Sequence, residues 1–143
     1  MQRSEHFNEE FSIDSFEVAV HSIPMKSAMH LAFGDVTSRP SGLVTLEALG
    51  SNGNIAKGLG EGVTLPEPFF TDDSGENIKA NAEQVLTDIL ECDLSGFNEI
   101  MGRVQSFTFP DKGRYPTARL AIEMALFDAY SRLHHKSLRE VLG

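Results

Sequence analysis

The sequence lacks most of the features that mark secreted and membrane proteins. It has no tryptophan and a single cysteine, Cys92, in 143 residues, which excludes an internal disulfide and a cysteine-rich zinc site. No apolar run approaches the roughly 18 residues that a membrane-spanning helix requires. The polar, acidic segment Met1–Glu10 is unlike a secretory signal. We therefore expect a cytoplasmic protein without a membrane segment.

Positive charge is also scarce. Twelve Lys and Arg stand against 21 Asp and Glu, which gives a net charge of −9. This charge repels phosphate backbones and acidic membrane surfaces, so a nucleic acid is not an expected partner. Hydrophobic residues make up 41% of the chain, a share typical of a globular domain with its own core.

Three segments of the first half predict β-strands. Apolar residues alternate with polar ones in Phe16–Met25, the period of a half-buried strand. Two further strands, Leu43–Leu49 and Ile55–Val63, flank Ser51-Asn52-Gly53, whose Asn-Gly pair is typical of a tight hairpin turn. Between the first two strands, Lys26–Gly42 has no clean period and is predicted to be a long loop.

The second half predicts helices. Thr64–Gly75 forms a second irregular loop, after which apolar stripes of helical period mark Ile78–Leu90, Phe97–Val104 and Thr117–His134. A short helical turn is expected at Ser137–Leu142. Strands followed by helices predict an α+β fold, with a three-stranded antiparallel meander followed by a bundle of three helices.

No motif in the residues themselves amounts to a catalytic or metal centre. The glycines of Gly58-Leu59-Gly60-Glu61-Gly62 are not followed by the helix that a nucleotide-binding loop needs, so we interpret them as a strand that permits close packing. Asp72-Asp73 is interpreted as part of a solvated loop rather than a cation site. The adjacent His134-His135 pair marks a helix end.

Three stretches nevertheless carry a family resemblance. Ile23-Pro24-Met25-Lys26 precedes the first loop, and Leu43–Glu61 has a strand–turn–strand pattern that ends in the glycine motif. The most specific stretch is Ala118-Arg119-Leu120-Ala121-Ile122-Glu123-Met124-Ala125-Leu126-Phe127-Asp128. Together they resemble the N-terminal domain of the enolase superfamily, in its mandelate racemase and muconate-lactonising branch. The resemblance extends over Ser15–Gly143.

The resemblance implies a capping domain that closes over the mouth of a (β/α) barrel. In such enzymes the barrel supplies a Lys base, often within Lys-x-Lys, and three acidic Mg²⁺ ligands. The base removes the proton α to a carboxylate, and the metal stabilises the enediolate that forms. The sequence contains no Lys-x-Lys, so we expect no catalytic residue, metal ligand or cofactor in this chain and Mg²⁺ in the barrel of the full-length protein. The expected division is a tail at 1–13, the capping domain at 14–134 and a connector toward an absent barrel at 135–143.

The expected function is therefore substrate selection in a Mg²⁺-dependent enzyme, by a domain that is inactive alone. The resemblance leaves a racemase, dipeptide epimerase, muconate cycloisomerase-like enzyme or acid-sugar dehydratase open. The expected partners are the protein's own C-terminal barrel and a small carboxylate-containing substrate, with a homo-oligomer also open. The alternative is a stand-alone binding or interaction module with the cap fold.

The family's two specificity loops have counterparts at about Ser27–Thr37 and Thr64–Asp73. Both are irregular in sequence, and both carry apolar side chains that an exposed loop gains nothing by holding. The candidates for substrate contact in these loops are Met29, His30, Phe33, Asp35, Phe69 and Phe70.

Overall fold

The strands precede the helices, as the hydrophobic patterns predict. The computed structural model describes residues 10–143. Within that range the elements are β1 (Phe11–Leu31), β2 (Gly34–Gly50), β3 (Ile55–Val63), α1 (Ile78–Glu91), α2 (Phe97–Ser106), α3 (Pro116–Leu133) and α4 (Leu138–Leu142). The predicted α+β class is confirmed. In the described part of the chain, no helix is both long and apolar enough to cross a membrane.

The three strands form an antiparallel meander in the order β1-β2-β3. Val44 in the central strand lies between Val18 of β1 and Gly60 of β3, which sets the register on the face that packs against the helices. The predicted turn joins β2 to β3, where Gly53 has a φ of +73°. That left-handed conformation costs glycine little. The predicted bounds of β3 agree with the structure.

The prediction of a long loop at Lys26–Gly42 is wrong. β1 and β2 continue through this stretch as a hairpin, and His30 pairs with Asp35 next to a tight turn at residues 32–33. The pairing is interrupted between Pro24 and Met29, where β1 bulges. The bulge shifts the alternation of side chains, and most residues near the tip are exposed on both faces. No alternating pattern was therefore available in the sequence.

β1 also begins earlier than the strand predicted at Phe16. Phe11 is buried, and its ring packs 5.5 Å from that of Phe97 and 5.9 Å from that of Tyr130. Asp14 is an unpaired residue in a bulge between Ile13 and Ser15, which masks the strand period. The end of the predicted tail at residues 11–13 thus belongs to the sheet, while residues 1–9 lie outside the described part.

Helix α3 crosses the sheet at close range because glycine faces it along β3. A Cβ on Gly60 would lie 1.8 Å from the carbonyl oxygen of Ala121, and one on Gly58 would lie 2.0 Å from that of Ala125. Alanines 121 and 125 are buried at this contact. The glycine motif is therefore a packing surface, as its sequence context predicts.

Candidate functional site at the hairpin end of the sheet

Two segments far apart in sequence meet beyond one end of the sheet. The tip of the β1–β2 hairpin carries Phe33, whose ring stacks on Phe69 with centroids 4.1 Å apart. The same ring meets Phe70 edge-on at 5.7 Å. Phe69 and Phe70 belong to the second loop, residues 64–77, which joins β3 to α1. We refer to Phe33, Phe69 and Phe70 as the aromatic cluster.

The aromatic cluster is a surface feature rather than part of the core. Phe33 is 48% exposed and Phe70 is 76% exposed. Aromatic pairs of this kind contribute about 0.5–1.5 kcal/mol beyond the area that they bury. The contact therefore joins the hairpin tip to the second loop while leaving apolar surface open for something else to cover.

A polar pair lies beside Phe33 on the same hairpin tip. His30 and Asp35 face each other across the two strands, and His30 Nδ1 lies 2.7 Å from Asp35 Oδ1. Both side chains are largely exposed, so this pair contributes little to folding stability. Met29, the neighbour of His30, is half-buried opposite Val36. The tip thus presents hydrogen-bonding groups next to apolar rings.

Phe69 and Phe70 also border a pocket of about 190 Å³. Val63 and the two phenylalanines provide apolar walls, and Arg39 and Glu67 provide charged groups of opposite sign. Asp73 of the second loop and Thr117 in the first turn of α3 also line the pocket. The pocket can admit a chemical group of side-chain size. Phe69 and Phe70 therefore border both the pocket and the hairpin tip.

The base of the second loop is fixed by backbone hydrogen bonds. Thr64 N–H donates to the Pro40 carbonyl at 3.0 Å. At the other end, Asp72 N–H donates to the Arg114 carbonyl at 3.0 Å, while the Asp72 carboxylate accepts from Arg114 N–H at 2.6 Å. The stretch that carries the phenylalanines is thus held at both ends by neighbouring segments.

The interpretation of Asp72-Asp73 as solvated loop acids is wrong for Asp73. Its side chain is buried and accepts backbone hydrogen bonds from Thr117 at 3.0 Å and Ala118 at 3.2 Å. These amides lie 44 and 45 residues away in sequence, so no local pattern could have predicted the contact. A carboxylate engaged in this way has little capacity left for a cation.

The described residues do not converge on a metal. Across residues 10–143, no group of three or more His, Cys, Asp or Glu side chains is arranged to hold one. The resolved pKa shifts have local causes. The Asp111 carboxylate raises the pKa of Tyr115, and the hydrogen bond from Tyr115 in turn lowers the pKa of Asp111. The Ser137 amide and hydroxyl lower the pKa of Glu140 in the α4 cap. These shifts mark structural contacts rather than a reaction centre.

The chain is similar in sequence and fold to known proteins. Residues 15–143 match the sequence model of the mandelate racemase/muconate lactonizing enzyme N-terminal domain. An N-succinylamino acid racemase of Thermus thermophilus is 28% identical over 132 residues, which are 92% of this chain and 33% of that racemase.

Two solved structures have the same fold. The substrate-liganded L-Ala-D/L-Glu epimerase of Bacillus subtilis superposes with a TM-score of 0.70 at 24% identity, covering 92% of this chain and 34% of the epimerase. A dipeptide epimerase of Enterococcus faecalis, in complex with Mg and the dipeptide L-Leu-L-Tyr, superposes with a TM-score of 0.65 at 21% identity, again covering 92% and 34%. The chain thus spans about a third of the length of each of these relatives.

Proposed function

Because this chain belongs to the mandelate racemase/muconate lactonizing enzyme N-terminal domain family, we propose that it is the capping and substrate-specificity domain of a Mg²⁺-dependent enzyme. The parent enzyme removes a proton α to a carboxylate. One observation carries the proposal: the hairpin tip and the second loop, the two segments that resemble the family's specificity loops, meet in the aromatic cluster.

The activities of the relatives favour one class of reaction for the parent enzyme. The curated relative is a racemase of N-succinylamino acids, and the two structures are epimerases of dipeptides. We therefore favour racemisation or epimerisation of a small N-acylated or dipeptide-like carboxylate. Cycloisomerisation stays open, because the family also takes its name from muconate lactonizing enzymes.

The residues of the site have distinct roles in this proposal. Phe33, Phe69 and Phe70 form an apolar wall that covers the substrate when the domain closes and keeps water away from the proton transfer. The His30–Asp35 pair hydrogen-bonds a polar end of the substrate. Met29 supports the tip from its half-buried position. None of these residues removes the proton.

The remaining parts of the reaction belong to the proposed barrel partner. Mg²⁺ supplies stabilisation of the negative charge that develops on the substrate carboxylate. The described residues do not fit such an ion, because the buried Asp73 carboxylate is already bound by backbone amides. We assign the metal ligands and the base to the barrel. Its mouth would also cover Phe70, which is 76% exposed here.

The test uses a barrel-containing form of the protein with His30→Ala, Phe33→Ala or Phe69→Ala. We expect the ratio of kcat/KM between two substrates to change, while exchange of the α-proton with solvent persists on at least one of them. Ile55→Ala is the matched control, because Ile55 is 59% exposed at the opposite end of the sheet. A uniform loss on all substrates, or no change, would refute the specificity role.

The alternative of a stand-alone binding module is separated by a simpler observation. A reading frame that continues past Gly143 into a barrel with Lys-x-Lys and spaced acidic residues supports the capping role. A natural stop codon at that point favours the binding module.

A further inference from the structure

A single buried carboxylate joins the second loop to helix α3. Asp73 is 1% exposed. Its carboxylate accepts from Thr117 N–H and Ala118 N–H, at 3.0 and 3.2 Å, and from the Thr71 hydroxyl at 3.0 Å. The Asp73 carbonyl also accepts from the Thr64 hydroxyl, at 3.2 Å. Asp73 therefore links Thr64, the first residue of the loop, to the start of α3.

Helix α3 depends on this residue because its own sequence offers no cap. The residue at the N-cap position is Tyr115, which makes no side-chain capping bond, and Pro116 has no amide hydrogen. The next two amides, of the half-buried Thr117 and the buried Ala118, would lose their carboxylate acceptor if Asp73 were absent. A negative charge at this position also interacts favourably with the helix dipole. Asp73 thus caps α3 from a distant part of the chain.

The same carboxylate also binds the residue next to the aromatic cluster. Thr71 follows Phe70 directly. Its hydroxyl donates to the Asp73 carboxylate at 3.0 Å and accepts from the Asp73 N–H at 3.3 Å. Phe69 and Phe70 precede Thr71, and the contacts described between them and Phe33 are ring contacts. The position of the rings is therefore set from the base of the loop.

We propose that Asp73 is a positioning residue, which uses the start of α3 as a fixed point to hold Phe69 and Phe70 against the hairpin tip. Its consequence for substrate choice rests on the proposed function. Its consequence for structure does not, and can be measured in the 143-residue chain itself.

The first experiment compares Asp73→Asn and Asp73→Ala with the unsubstituted 143-residue chain by NMR. We expect amide exchange at Thr117 and Ala118 to accelerate about tenfold or more in Asp73→Ala, in line with the loss of a helix cap. We expect the cross-relaxation signals between the Phe33 and Phe69 rings to disappear. Asp73→Asn retains one acceptor oxygen and should be intermediate, and it provides the same readouts if Asp73→Ala does not fold.

Chemical rescue separates capping from a general loss of packing. Formate added to Asp73→Ala should occupy the helix N-terminus and restore part of the amide protection, whereas chloride at the same ionic strength should not. Ser137→Ala is the control, because it removes the capping box of α4 away from the site and should leave the ring signals unchanged.

Two results would overturn the proposal. Ring signals that persist in Asp73→Ala while the Thr117 and Ala118 amides lose protection would show a cap without a positioning role. Equal loss of ring signals in Ser137→Ala would show a nonspecific effect.

In the barrel-containing enzyme, Asp73→Asn should change the ratio of the KM values of two substrates more than it changes the ratio of their kcat values. If that ratio stays constant in Asp73→Asn and Phe69→Ala alike, the proposed function fails while the structural role of Asp73 stands.

Discussion

At the scale of single residues, this acidic protein uses several carboxylates to connect elements. Asp73 caps α3 from the second loop. Asp128 of α3 accepts from the Leu59 amide of β3 at 2.9 Å and from Arg132 Nε at 3.1 Å. Asp88 of α1 accepts from Arg103 of α2 through two bonds, of 2.6 and 2.9 Å. Only the Asp128–Arg132 pair, four residues apart on one helix, was predictable from sequence spacing.

The Asp88–Arg103 pair makes stability depend on pH. Hydrogen bonds from Arg103 hold the pKa of Asp88 below its usual value. Because the pKa is lower in the folded state, the pair stabilises the fold above about pH 4, and this contribution is lost as pH falls through the lower, folded-state pKa. We predict that Asp88→Asn lowers the free energy of unfolding at pH 7 and has a smaller effect at about pH 2.

Urea unfolding at the two pH values measures this difference. Glu83→Gln is the control, because it removes the same charge from an exposed pair with Lys79 on α1 and should change stability little. An equal effect of Asp88→Asn at both pH values would contradict the prediction.

At the scale of elements, hydrophobic period predicted most helices and strands because one face of each is buried. The stripe in α1 follows from packing against the core. In β3 the buried positions are glycines, and Ile55, Leu59 and Val63 are exposed. The hairpin tip was missed because its strands leave that core and expose both faces. A pattern that reports burial cannot locate strands held by backbone hydrogen bonds outside the core.

The contact between β3 and α3 can be tested with one glycine. Gly60→Ala places a methyl group 1.8 Å from the Ala121 carbonyl oxygen, and neither backbone can move aside without disturbing its element. We predict a loss of about 3 kcal/mol or more in the free energy of unfolding. Thermal or urea unfolding provides the measurement.

Gly102→Ala is the matched substitution in the interior of α2. A Cβ at Gly102 meets nothing within 4 Å, so alanine should stabilise the helix by about 0.5–1 kcal/mol. Similar effects of the two substitutions would show that α3 does not approach β3 as closely as described.

At the scale of the whole molecule, the proposed function separates recognition from chemistry. The aromatic cluster and the His30–Asp35 pair lie together at one end of the sheet. The family resemblance identifies these residues as candidates from the sequence. Their proximity depends on the register of the β1–β2 hairpin, which the sequence pattern predicts to be a loop. Their contact with substrate stays a prediction.

The chain by itself should not catalyse the parent reaction. Among residues 10–143, no cluster of His, Cys, Asp or Glu side chains is arranged to bind a metal. The site consists of surface residues and has no base placed to reach the α-carbon of a substrate. We predict that the 143-residue chain with Mg²⁺ does not exchange the α-protons of N-acylamino acids or dipeptides with deuterated solvent. Protein-dependent deuterium incorporation, measured by mass spectrometry, would contradict this.

The most direct test of the specificity role is a double-substitution cycle on the Phe33–Phe69 contact in the barrel-containing enzyme. The measured quantity is the ratio of kcat/KM for an acidic dipeptide to that for a neutral dipeptide. It is measured in the unsubstituted enzyme, in Phe33→Ala, in Phe69→Ala and in the double variant. Since the two rings act as one surface, we predict that each single substitution shifts the ratio and that the double variant shifts it less than the product of the two. Unchanged ratios, or an equal loss of kcat/KM on both substrates, would contradict the assignment of this domain to substrate selection.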